Sequence, residues 1–270
     1  MQLSRYLERI AYNGPLNVDL ETLNGIHQHH LRAISYENLD VQLGIPLTTN
    51  VQAAYHKIVA LGRGGWCYEM NGVMGWALEE IGFDIMRISA GVNRNERGDA
   101  VVGSHLVLLT ELDQPYLVDV GFGDGFLLPV PLKEGEFSER GFFFKMEHLT
   151  DGYWRLHNHQ FGGAPNFDFK TEPADESQLE TVCQSLQTAE HSPFVMTLIA
   201  QRFVQDGYEV QVGRAGRKIT SRGIETKVLN SAEALQQRLQ NVFEINVPAV
   251  TALWPKVLKR HQALFPDNTD

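Results

Sequence analysis

The stretch Arg63-Gly64-Gly65-Trp66-Cys67-Tyr68-Glu69 is where this sequence most clearly offers chemistry. Two glycines allow a tight backbone approach, and an apolar helical spacing begins directly after them. Cys67 therefore falls at a helix N-terminus, where unpaired N–H groups and the positive end of the helix dipole favour a thiolate. The same cysteine also reads as a small buried hydrophobe, the commoner fate of this residue type. A thiolate nucleophile needs a base and a group that orients the base. His105 lies in Gly103-Ser104-His105-Leu106-Val107-Leu108-Leu109, a strand that would hold it rigidly, and Asp119 closes the apolar run Tyr116-Leu117-Val118-Asp119-Val120. A carboxylate in so apolar a setting requires a partner. The turn at Asp113-Gln114-Pro115 can join the two strands and set His105 beside Asp119. Singly, the histidine reads as a satisfied core residue and the aspartate as a strand-end acceptor of backbone N–H groups. Together, in the order Cys, His, Asp, they form a candidate triad.

The elements that must position these groups change character along the chain. In the first third, Asp19 can cap a helix carrying Leu20, Leu23, His27, Leu31 and Ile34, and Asn50 one carrying Val51, Ala54, Tyr55, Ile58 and Val59. A third helix starts near Trp66 and stops at Gly82. Beyond it the period shortens: Phe83–Val92, His105–Glu111, Tyr116–Val120, Phe142–His148 and Tyr153–Asn158 read as strands of an antiparallel sheet or barrel. A helix from Asp175 leads to strands at Met196–Val204, Tyr208–Val212 and Ile224–Leu229. Helices capped by Ser231 and near Val250–Leu264 end the chain. At 270 residues the chain exceeds the 100–200 of a typical single core, so two or three subdomains are expected: a helical part over residues 1–83, a sheet or barrel over 84–185 and a mixed α/β part over 186–270.

Composition sets the outer bounds. Of 270 residues 43% are hydrophobic and 21% charged, a globular balance that rules out disordered, collagenous and coiled-coil chains. Lys and Arg total 23 against 33 Asp and Glu, a net charge of −10, so no nucleic-acid partner and no anionic membrane surface is expected. No apolar run approaches the ~18 residues of a membrane span, and the first residues, MQLSRYLERI, lack the apolar stretch of a signal peptide. Two cysteines, Cys67 and Cys183, form no CxxC and no zinc set, which points to a cytoplasmic protein without disulfides. His27, His29 and His30 put only two imidazoles on one helix face, and His157 and His159 alternate on a strand. Neither group suffices for a metal. Arg214, Arg217, Lys218, Arg222 and Lys227 make a local basic hairpin, either a solvated surface or a contact for phosphates. Gly121-Phe122-Gly123-Asp124-Gly125-Phe126 mimics a dinucleotide fingerprint but ends in Phe126 and lacks the flanking βαβ unit; it reads better as a tight loop over a pocket with Phe122 as its wall.

Taken together, Arg63–Glu69, Ser104-His105-Leu106 and Val118-Asp119-Val120-Gly121-Phe122-Gly123 resemble the arylamine N-acetyltransferases. So do Tyr36-Glu37-Asn38-Leu39-Asp40-Val41, Leu43–Leu47 and Asn71-Gly72 and, more loosely, His191-Ser192-Pro193-Phe194. The likeness is dense from about residue 5 to 131 and sparse afterwards. It implies an α/β (α+β) fold: an N-terminal helical bundle, a central antiparallel β-barrel and a C-terminal α/β lid, with a catalytic core of the cysteine-protease and transglutaminase kind. It further implies that acetyl-CoA, as co-substrate, acylates Cys67, that His105 moves the protons and that Asp119 fixes the imidazole tautomer, with no metal. Arg63 and Glu37 become a buried supporting pair, Phe122 and Tyr36 line the acceptor pocket, and Gly121 and Gly123 shape the loop near the cofactor. The family usually has threonine where Ser104 stands and phenylalanine where Tyr36 stands. Asp124 is expected to place a negative charge where the polyanionic cofactor enters. The implied partner is a small aromatic amine or hydrazine; the mildly apolar, acidic surface suits either a monomer or a weak homodimer. One alternative shares the triad, an amide synthase closing a macrolactam from a carrier-bound chain; another, from a different class, is a cysteine hydrolase, although papain-like local sequence around Cys67 is absent. A non-catalytic binding module would leave the three motifs without a purpose.

Overall fold

Side-chain caps set where the helices begin. Asp19 accepts the Thr22 N–H, Asn50 that of Ala53, Asp175 those of Ser177 and Gln178, and Ser231 that of Ala234. Each satisfies a donor that the first helical turn leaves free. The resulting helices are Leu20–Ala33, Val51–Tyr55, Glu176–Thr188 and Ala232–Asn241. The computed structural model describes residues 1–265. At its centre is the helix Cys67–Ile81, whose first nine residues are all buried. A helix apolar on every side belongs inside the molecule, and this one packs on the strands Ile85–Val92 and Val102–Glu111.

Those strands belong to an eight-stranded antiparallel sheet. Its order is Val130–Pro131, Pro115–Val118, Val102–Glu111, Ile85–Val92, Asn166–Phe169, Trp154–His157, Phe142–His148 and Gly135–Glu139. The sheet curls into a half-barrel, with Val130–Pro131 and Gly135–Glu139 as its edges. The second sheet joins Tyr36–Glu37 to Ile199–Val204, Gly207–Val212, Ala215–Thr220 and Gly223–Val228, again antiparallel. Thus a two-residue strand from the first third of the chain supplies the edge of a sheet built from the last third. One hydrophobic core runs from Tyr6 through the central helix and half-barrel to Ile219. A second gathers Leu39, Leu198, Leu235, Phe243 and Val257 beneath the C-terminal helices.

Several boundaries differ from the sequence reading for local reasons. The helix after Asn50 changes at His56 to a π-helical turn, His56–Ala60, with the Leu61 N–H reaching back to the His56 carbonyl. Met196 does not begin a strand; it closes the short helix Pro193–Met196, started by the Ser192 hydroxyl and Pro193. Strands Gly135–Glu139, Asn166–Phe169 and Ala215–Thr220 went unread because polar and turn-forming residues mask their alternation. His159 lies beyond the strand Trp154–His157, so it does not share that strand with His157. Among the described residues no helix is long and apolar enough to cross a membrane.

Candidate active site

Cys67 is the first residue of its helix, and the chain reaches it by a close approach. A Cβ on Gly64 would sit 2.2 Å from the Ser35 carbonyl oxygen, so only glycine fits. That packing lets Gly65 pair with the 35–37 segment: Gly65 N–H donates to Ser35 O, and Glu37 N–H to Gly65 O. The Glu69 carboxylate, one turn into the helix, accepts the Trp66 N–H at 3.3 Å and so holds the turn carrying the cysteine.

A buried ionic network fixes this approach. Arg63 donates to Glu37 at 2.7 and 3.0 Å and to Asp40 at 2.8 Å, while the Lys57 ammonium meets Asp40 at 2.9 Å and Glu69 at 2.8 Å. Glu37 also accepts the Leu39 N–H at 2.7 Å. The expected Arg63–Glu37 pair is thus two members of a five-residue set. Its three carboxylates and two cations join the strand Tyr36–Glu37, the π-turn and the helix that begins at Cys67. Burial pushes the Glu69 carboxyl up, against the pull of Lys57. Burial also opposes the charge on Asp40, yet Lys57 and Arg63 outweigh it and hold that carboxyl below its ordinary value. Lys57 could not be assigned from sequence, because the π-turn that aims it at Glu69 has no signature there.

His105 and Asp119 come from the hairpin of Val102–Glu111 and Pro115–Val118, where Leu108 faces Val118. Continuing that register places Val107 opposite Asp119, so His105 is its diagonal neighbour on the same face. The His105 Nε2 lies 2.7 Å from Asp119 Oδ2. Asp119 accepts through that oxygen, leaving Nδ1 as the ring nitrogen available to Cys67. The imidazole is pushed up to about 10: burial alone would lower it, but Asp119 and then Cys67 overcome burial. Cys67, His105 and Asp119 are each no more than 3% exposed. In so enclosed a setting an ion pair is weakly screened.

Asn71, one turn after Cys67, ties the three elements together. Its amide donates to Asp119 Oδ1 at 2.8 Å and to the Leu106 carbonyl at 2.6 Å, and its Oδ1 accepts the Val120 N–H at 2.9 Å. The helix of Cys67, the strand of His105 and the loop of Asp119 are thereby fixed by one side chain. The i, i+4 spacing from Cys67 was the available signal. Asp119 Oδ1 also accepts the Gly121 N–H at 2.8 Å.

The glycine loop packs directly on Cys67. A Cβ on Gly121 would fall 2.6 Å from Cys67 Cα and 2.7 Å from Asn71 Nδ2, while Gly123 abuts the Gln201 amide. Phe122 is half-buried, its ring 5.3 Å from His105 and 4.9 Å edge-on to the buried Phe167. Phe167, on a strand the sequence did not disclose, completes this aromatic wall. Tyr36 is buried and paired in register with Gln201; burial first, then the charge of a Cys67 thiolate, raises its phenol well above the ordinary value.

Asp124 corrects an expectation. Its carboxylate is buried rather than presented to an incoming anion, and accepts from the Gly163 N–H at 2.7 Å and from Asn158 and Gln201 at 3.3 Å each. Burial pushes it up to about 6. It binds the glycine loop to the 158–163 segment and to the second sheet. In the basic hairpin, Arg214 donates to the Leu229 carbonyl and Lys218 lies 3.3 Å from Asp206. His30 turns toward the Tyr6 hydroxyl and His29 toward the Ile10 carbonyl. Cys183 is buried in the core.

Fold and site together define a cysteine-protease-like core in which a helix-terminal cysteine meets a histidine and an aspartate from a neighbouring hairpin. A family model described as N-acetyltransferase matches residues 19–252. The arylamine N-acetyltransferase of Mycolicibacterium smegmatis is 33% identical over 92% of this chain and 93% of its own. Arylamine N-acetyltransferase 1 of Homo sapiens is 29% identical over 92% and 95%. The solved arylamine N-acetyltransferase of Mycobacterium marinum superposes with a TM-score of 0.86 at 29% identity, covering 96% of this chain and 98% of that one. The same protein in complex with CoA gives 0.86 at 28%, with the same coverage. The chain belongs to the arylamine N-acetyltransferase family and is an acyltransferase.

Proposed function

We propose that the protein transfers an acetyl group from acetyl-CoA to the nitrogen of an aromatic amine or hydrazine through an acetyl-Cys67 intermediate. The observation that carries this reading is the 2.7 Å His105–Asp119 contact beside a cysteine at a helix N-terminus. His105 takes the Cys67 proton, and the resulting thiolate attacks the thioester carbonyl. The new bond is Cys67 Sγ to acyl carbon; the CoA sulfur–carbon bond breaks, and the CoA thiolate takes the proton from the imidazolium. The exchange of one thioester for another changes bond energy little. In the second half the amine nitrogen attacks the acyl carbon, His105 accepts the amine proton, and Cys67 leaves as a thiolate. Asp119 keeps His105 oriented with Nδ1 toward sulfur throughout. Phe122 offers the face on which a flat acceptor stacks, with Tyr36 and the buried Phe167 forming the apolar wall behind it, and the enclosure limits loss of the acyl group to water. Gly121 and Gly123 keep that wall close to Cys67, and Arg63 with Glu37 holds the strand below it. The M. marinum relative solved with CoA supports CoA as the carrier. Two buried free thiols suit a reducing cytoplasm.

Intact-protein mass after addition of acetyl-CoA tests the reading, with and without an aromatic amine and beside Cys67→Ala. The expected result is an acetyl increment on the wild type, absent from the variant and discharged by the amine. No increment excludes acetyl-CoA as donor. An increment that decays equally fast without amine makes the protein a hydrolase.

A further inference from the structure

We propose that His27 is a positioning residue for the triad: a neutral imidazole that clasps both ends of the loop carrying Asp119, Gly121 and Phe122. His27 lies on the helix Leu20–Ala33 and is fully buried. The Asp119 N–H donates to its Nε2 at 3.3 Å, and its Nδ1 lies 2.8 Å from the Leu127 carbonyl. A carbonyl only accepts, so Nδ1 must carry the hydrogen. A backbone N–H only donates, so Nε2 must be bare. The two contacts thus admit one tautomer of the neutral ring and exclude the imidazolium. Burial, which holds this histidine down to about 4, favours the same neutral form. The ring also lies nearly parallel to Phe126, at 5.8 Å and 12°.

The geometry gives these bonds a purpose beyond filling the core. The loop between Asp119 and Leu127 has its glycine backbone against Cys67 and its Phe122 ring against His105. On its far side Asp124 and the Tyr208 hydroxyl, donating to Gly125 O, hold the middle of the loop. Among the described residues, only His27 grips both residues at which the loop departs and returns. Asp119 is itself held at two places: Asn71 fixes its carboxylate and His27 its backbone. Without the Nε2 acceptor, the Asp119 N–H loses its partner in a buried setting. The carboxylate then drifts from His105, which loses the charge that raises its proton affinity.

The inference rests on the triad reading, and its test needs neither acyl donor nor amine. Alkylation of Cys67 by iodoacetamide is followed against pH in the wild type, His27→Asn and His27→Gln. The Asn amide stands where Nδ1 does and keeps the Leu127 bond alone; the Gln amide reaches the Nε2 position and keeps an acceptor for Asp119. In the wild type an upper inflection is expected well above the ordinary imidazole value, near 10, where His105 loses its proton. In His27→Asn it is expected to move down by about one pH unit or more, and in His27→Gln to stay in place. An unshifted Asn variant, or equal shifts in both, overturns the proposal. A wild type without that inflection overturns the triad reading and the proposal with it. A second measurement requires no variant: ¹⁵N spectra of histidine-labelled protein should show His27 as the fixed Nδ1–H tautomer between about pH 5.5 and 9. Titration in that range, or an Nε2–H tautomer, refutes the clasp.

Discussion

Replacing Asp119 by asparagine tests the central electrostatic argument with almost no change of volume. In the native protein His105 is held at about 10 although burial opposes its charge. Removing the carboxylate charge leaves burial dominant, so the imidazole should fall to the ordinary histidine value of about 6.5 or below. The difference, roughly three to four pH units, corresponds to about 5 kcal/mol of preference for the imidazolium, at about 1.4 kcal/mol per unit. That figure is the order of magnitude of what Asp119 contributes to the thiolate–imidazolium pair. Tautomer adds to it. Asn71 still needs an acceptor at the Oδ1 position, which turns the new NH₂ toward His105 Nε2. The ring would then carry its hydrogen on Nδ1, facing Cys67, and could no longer take the thiol proton. We expect single-turnover acetylation of Cys67 at pH 7.5, read by quenched-flow mass spectrometry, to fall by about 10³- to 10⁴-fold. The melting temperature should change little, because Asn71 and Gly121 keep their hydrogen bonds. A loss under about tenfold in a folded variant would refute the reasoning.

Lys57→Met leaves Asp40 Oδ2 and Glu69 Oε2 buried without their cation. Breaking a buried pair in this way costs about 3–5 kcal/mol, or about 10 °C in a calorimetric melt; a drop below about 1 kcal/mol would mean the network is dispensable. The pH dependence of stability has a definite sign. His27 and His159 are both held down to about 4 by burial, so the unfolded chain takes up protons on these residues first as pH falls below about 6.5. Stability present at pH 7.5 should therefore be lost between about pH 6.5 and 4, by about 3 kcal/mol per histidine. Urea melts at the two ends, repeated in His159→Gln, measure the loss; a variant with the same acid slope as the wild type would contradict it.

What could be read from the sequence was what is encoded within a few residues. Asp19, Asn50, Asp175 and Ser231 cap their helices because a cap acts over one turn. Gly64-Gly65 placed Cys67 at a helix start for the same reason. The hairpin joining His105 to Asp119 was legible because both strands are apolar and the turn is short. Group roles decided by distant partners were not legible. His27 reads as one more residue on an amphipathic helix until Asp119 and Leu127 arrive, and Asp124 reads as a solvated loop charge until Gly163, Asn158 and Gln201 enclose it. Tyr36–Glu37 is too short to announce itself as a strand, its partner being Ala200–Gln201. The site's residue types were thus visible, while the second layer that orients them was set by packing.

The pairing of Tyr36–Glu37 with Ile199–Val204 also limits how early in synthesis this part of the fold can close. Asn38 beside that strand donates to the Thr197 carbonyl across 159 residues of chain. At roughly 5–20 residues per second a ribosome needs on the order of 10–30 s to span that gap. A nascent chain thus holds Cys67, His105 and Asp119 well before the strand that supports Tyr36 and Glu37 exists. Until then Tyr36–Glu37 is an unpaired edge, and because contacts so far apart close slowly, this part of the fold is among the last to be completed.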